Sequence, residues 1–100
     1  LVFSGRRIDA AEALRLGFLQ MATTPETLEQ ETLGLATEIA AMAPLTLQAT
    51  KAAIHSYAGL PGAVDPATLT ALAERCFDSS DYAEGVRAFL EKRQPAFTGQ

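Results

Sequence analysis

A small, mostly α-helical single domain is predicted for this chain, on three observations. Apolar residues return at intervals of three and four instead of alternating, which is the helical period. Proline stands at three places where such a stripe is about to begin, in Thr24-Pro25, Ala43-Pro44 and Asp65-Pro66. A helix does not need the N–H of its first residue, so proline fits there. The third observation is size: 100 residues with 48% hydrophobic content can fill one core and leave nothing for a second.

The elements follow in chain order. Asp9 and Glu12 have the form of a capping box, with the aspartate accepting an early backbone N–H and the glutamate reaching back to the cap. The helix they start should run to about Leu16 and stop at Gly17, which tolerates a left-handed cap. Phe18 to Ala22 is short and reads as extended. Thr24-Pro25 opens the second helix, on which Leu28, Thr32, Leu35, Ala36, Ile39 and Ala40 form one apolar stripe with Glu26, Glu29, Glu31 and Glu38 largely off it. Gly34 weakens its middle by roughly 1 kcal/mol relative to alanine, a hint of close packing. The third helix runs from Leu45 to about Ala58 and carries Lys51 and His55. Ala58–Gly62 (AGLPG) is a breaker cluster and therefore a loop. Asp65-Pro66 starts a fourth helix whose face is Leu69, Leu72, Ala73, Cys76 and Phe77. Asp81 and Glu84 read as a second box, and Tyr82, Val86, Phe89 and Leu90 share one side of the closing helix. Pro95 ends that helix and leaves Ala96 to Gln100 as a frayed tail.

Composition narrows the function. A net charge of -4 argues against broad nucleic-acid binding, which requires a positive surface. No apolar run approaches the roughly 18 residues of a membrane span, and the first residues lack the order of a signal peptide, so a cytoplasmic location is expected. With one cysteine and one histidine the chain has neither a disulfide nor a Cys/His metal cage of its own. Cys76 reads as a small buried hydrophobe. The chain starts at Leu with LVF running into Ser-Gly, as a cut through a longer protein would.

Glu84–Phe97, EGVRAFLEKRQPAF, is the most chemically pointed stretch. Phe89 and Lys92 lie at i and i+3, an aromatic platform beside an ammonium, on which a nucleotide could stack its base and rest a phosphate. The alternative is that Phe89 anchors the helix in the core and Lys92 is solvated. Spacing leaves both open. Glu12 and Glu84 read as structural residues by their cap positions.

Three segments taken in order resemble the C-terminal part of the enoyl-CoA hydratase/isomerase family, the crotonase superfamily. They are FSGRRIDAAEALRLGFL, LATEIAAMAPLTLQATKAAI and CFDSSDYAEGVRAFLEKRQPAFTG. The resemblance implies a mostly α, multi-helix C-terminal domain over residues 1–100, without the N-terminal spiral of ββα repeats that carries the oxyanion hole and catalytic glutamates in the family. Its implied partners are that spiral domain, further copies of itself in a trimer or dimer of trimers, and acyl-CoA. Coenzyme A would enter as part of the substrate, with no prosthetic group. Phe89 and Lys92 match the family's adenine- and phosphate-contacting residues, commonly supplied by a neighbouring subunit. The most expected reaction is hydration of a trans-2-enoyl-CoA, with double-bond isomerisation or a noncatalytic self-association module as alternatives. Two departures stand out: Ala73 occupies a position where some members carry an aromatic, with Phe77 one turn later, and Met-Ala-Thr replaces the usual valines after Gly17.

Overall fold

The computed structural model describes residues 3–100, and among them every regular element is a helix: α1 (Ala10–Arg15), α2 (Leu28–Ala40), α3 (Pro44–Tyr57), α4 (Pro66–Phe77) and α5 (Ser80–Glu91). The chain divides into two compact units, Leu1–Leu35 and Ala36–Gln100, with the division inside α2.

In the first unit, Asp9 caps α1 as expected, accepting the Glu12 N–H at 2.8 Å. Glu12 behaves differently from a capping-box residue. Its carboxylate takes both nitrogens of Arg15 at 2.8 Å and approaches Arg6 at 3.6 Å, because a charged fork one turn on outcompetes a backbone N–H. Gly17 sits at φ 76 and closes α1, with its own N–H on Leu14 and the Phe18 N–H on Ala13. The segment after it has no strand, so the extended reading of Phe18 to Ala22 is not met by sheet pairing.

Thr24-Pro25 begins a turn, and the α-helix proper starts at Leu28, whose N–H bonds the Thr24 carbonyl at 3.0 Å. No residue of α2 is buried, and Leu28, Leu35 and Ile39 of the expected stripe are about half exposed. A Cβ added at Gly34 would meet nothing within 4 Å, so the close packing expected there is absent.

In the second unit the cap-then-proline devices work as read. Pro44 and Pro66 take first-turn positions, and Asp65 accepts the Thr68 N–H and hydroxyl at 3.0 and 2.7 Å. The loop from Ala58 to Asp65 is braced. Ser56 Oγ donates to the Val64 carbonyl and accepts its N–H, and His55 Nδ1 donates to Pro61 O at 2.8 Å. His55 is thus a loop brace whose proton is fixed on Nδ1 by that bond. α3 packs on α4, and α4 meets α5. One hydroxyl joins the last pair: Ser79 Oγ donates to Cys76 O at 2.6 Å and accepts the Tyr82 N–H at 3.1 Å. Ser79, not Asp81, is therefore the cap of α5.

Candidate functional site

Among the described residues, the only buried apolar side chains are Leu45 and Ala88, together with the polar Asp81. Two of the three lie on α5. The helix has two faces, and the packed one is not the greasy one. Asp81, Gly85 and Ala88, at i, i+4 and i+7, turn inward, while Tyr82, Val86, Phe89 and Leu90 stay substantially exposed. The reason is local bulk. Gly85 has no side chain, and the Phe97 ring lies 3.6 Å from where its Cβ would stand. Small residues let the rest of the unit approach α5, and the large apolar ones are left on the other side.

That other side, together with Asp81 and Gly85, lines a cleft of ≈ 520 Å³. Its wall includes four aromatic rings, Phe77, Tyr82, Phe89 and Phe97, with Leu45 at the start of α3 and Cys76 on α4. Phe77 and Tyr82 meet edge to face, centroids 5.4 Å apart at 71°. Phe89 is 82% exposed, so the reading in which it anchors a core is excluded within this chain. Cys76 is half-buried on the cleft wall, more open than a core hydrophobe.

Lys92 departs from the helical spacing that first paired it with Phe89. α5 ends at Glu91, and Lys92 takes φ 54, ψ 40, the only non-glycine with positive φ among the described residues. Its N–H bonds Phe89 O at 3.2 Å and the Arg93 N–H bonds Ala88 O at 3.0 Å, which closes the helix four residues before Pro95 where it was expected to end. Lys92 is therefore outside α5 and is not among the residues that line the cleft. A lysine in this conformation is strained relative to glycine. Lys92→Gly is expected to raise stability by about 1 kcal/mol, several degrees in Tm for a domain of this size. Thermal unfolding checks it, and an unchanged or lower Tm rejects it.

The charges around Lys92 are disposed of by Glu84. Arg93 Nη1 and Nη2 grip its two oxygens at 2.6 and 3.0 Å, Arg87 approaches at 3.5 Å, and the Ala96 N–H adds a bond at 3.0 Å. Glu91 takes the remaining Arg93 nitrogen at 2.6 Å. Of the three basic residues in this stretch, Lys92 alone makes no ion pair among the described residues. The Arg93 hydrogen bond, then the Ala96 N–H, hold Glu84 down to about 2. A depressed carboxylate contributes stability that is complete above its unfolded pKa and disappears as pH falls through the folded one. The Ala96 amide shift is accordingly expected to titrate near pH 2; a midpoint between 4 and 5 would contradict the grip.

The tail was expected to fray and does the opposite. It runs back along α5: Ala96 on Glu84, Thr98 and Gly99 N–H on the Asp81 carboxylate at 2.7 and 2.8 Å, and Gln100 O accepting from Ser80 Oγ and the Asp81 N–H. Gly99, at φ 80, lets two successive N–H groups converge on one carboxylate, and that left-handed φ, not lack of room, is what asks for glycine. Asp81, Phe97 and the strap were missed by sequence reasoning. The available signal was Thr98-Gly99, a turn pair after a proline, opposite an acidic residue one turn into a helix.

With this geometry in place, the comparison with known proteins decides the family. The sequence model described as enoyl-CoA hydratase/isomerase matches residues 1–100. The chain belongs to the enoyl-CoA hydratase/isomerase family. It is 38% identical over 98 residues to a putative enoyl-CoA hydratase of Thermus thermophilus, covering 97% of this chain and 38% of that protein. It is 35% identical over 101 residues to methylmalonyl-CoA decarboxylase of Escherichia coli, covering 99% of this chain and 39% of that one. The crystal structure of enoyl-CoA hydratase from Mycobacterium tuberculosis H37Rv superposes with TM-score 0.83 at 33% identity, over 100% of this chain and 40% of the other. The chain thus spans about two fifths of these relatives, and the all-helical architecture is that of this crotonase segment.

Proposed function

We propose that this chain is the helical, CoA-facing and subunit-contacting part of an acyl-CoA-processing enzyme, with hydration of a trans-2-enoyl-CoA as its reaction. The reading is carried by one observation: an open, four-ring aromatic cleft contains Phe89, and Lys92, three residues on in the sequence, is the stretch's one cation left without an ion pair. A flat base stacks on the rings and a phosphate meets the ammonium. The names of the relatives support a role in holding CoA. A hydratase and a decarboxylase are matched almost equally well, and what those names share is the CoA thioester, not the reaction.

In this role the helices bind and position, while proton transfer and stabilisation of the thioester oxygen belong to a spiral domain. The 100-residue chain by itself should therefore not hydrate crotonyl-CoA. In the enzyme joined to that domain, Phe89→Ala and Lys92→Ala are each expected to raise KM for an enoyl-CoA about fivefold with kcat nearly kept, from contacts of about 1 kcal/mol each. The corresponding N-acetylcysteamine thioester, which has no nucleotide, should respond to neither change. If KM for the CoA substrate is unmoved by both variants, the reading fails.

A further inference from the structure

We propose that Phe97 is a second aromatic wall for the nucleobase held at Phe89, and that Asp81 is the positioning residue that keeps it there; this rests on the CoA reading above. Phe97 and Phe89 line the same cleft although they come from different segments, Phe97 from the tail and Phe89 from the last turn of α5. Side chains of α5 itself hold the tail. The backbone is pinned on both sides of Phe97, by Ala96 N–H on Glu84 and by Thr98 and Gly99 N–H on Asp81. The Asp81 side of that strap is deeply buried, with the residue 3% exposed. The ring lies against α5 at Gly85, 3.6 Å from where a Cβ would stand, so it packs close to the helix backbone. A ring fixed at two backbone points can face a flat ligand without first being ordered, so its contact is made at low entropic cost.

The strap also separates two jobs done by neighbouring carboxylates. Glu84 holds arginines, and changing it would release cations that themselves attract phosphate. Asp81 accepts only from backbone N–H groups and a hydroxyl of the tail, so altering it frees no charge near the ligand. It is therefore the cleaner handle.

The test is a double-mutant cycle in the enzyme joined to its spiral domain, reading the Kd of CoA by calorimetry. Phe97→Leu, which keeps an apolar side chain, and Asp81→Ala are each expected to weaken CoA about fivefold, and the double variant no further than either alone, because both act through one ring. Additive losses, or a Phe97→Leu variant that binds CoA like the parent, overturn the proposal. Asp81→Asn keeps the shape and one acceptor; it supplies the cycle if Asp81→Ala does not fold, with a smaller loss expected. Hydrogen exchange without ligand gives an independent reading: the Thr98 and Gly99 amides should be protected in the parent and exposed in the Asp81 variant. Free exchange in the parent overturns the strap whatever CoA does. Protected amides and a CoA loss in Phe89→Ala, but none in Asp81→Ala, overturn only the positioning role, whereas no loss in Phe89→Ala and Lys92→Ala overturns the CoA reading itself.

Discussion

Asp81→Ala is expected to destabilise the second unit by roughly 2–4 kcal/mol. Two backbone N–H groups and one hydroxyl converge on this carboxylate, from residues 17 and 18 positions away. Truncation leaves both N–H groups without their acceptor in a place where Asp81 itself is almost fully buried. The cost is therefore a desolvated donor left unmade, which exceeds the small net worth of an ordinary exchangeable hydrogen bond. The carboxylate also lies in the first turn of α5, where the helix's positive end favours it. Urea unfolding of the parent and variant checks the magnitude. A loss under about 1 kcal/mol would mean that water replaces the carboxylate and the tail is not a structural part of the unit.

Much of this fold was legible because its helix starts are local chemistry. Asp9, Asp65, Pro44 and Pro66 each act on residues one turn away, and Gly17 ends its helix through its own φ, so sequence neighbours contain the whole cause. Asp81 was misread for the opposite reason. Asp-x-x-Glu looks like a box at any helix start, and only the tail's return along α5 shows that both carboxylates serve long-range partners while Ser79 does the capping. The same blindness affected the faces of α5. Periodicity says which residues share a side, not which side is packed. Here Gly85 and Ala88 decide it by being small. Phe89 was singled out as a ligand candidate through its spacing to Lys92, yet that pairing rested on a helix that ends one residue too early, at a left-handed turn no propensity scale assigns to lysine.

Leu35→Glu together with Ile39→Glu is expected to weaken self-association of the chain at least tenfold. α2 carries a continuous apolar stripe, yet none of its residues is buried, and Leu28, Leu35 and Ile39 are 55%, 50% and 49% exposed. An amphipathic helix needs cover for that stripe, and about half of each of these three side chains lacks it. Covering the exposed half of one such side chain contributes about 1 kcal/mol, roughly a fivefold change in a dissociation constant, and a buried glutamate adds a desolvation cost of its own. The two positions lie one turn apart, so their effects should couple instead of simply adding. Both residues lie away from the lining of the aromatic cleft, which keeps assembly separable from CoA binding. A sedimentation series should show the parent associating as concentration rises and the variant shifted toward monomer. A parent that stays monomeric throughout, or a variant that associates as well as the parent, would show that a second copy does not cover α2 through these residues.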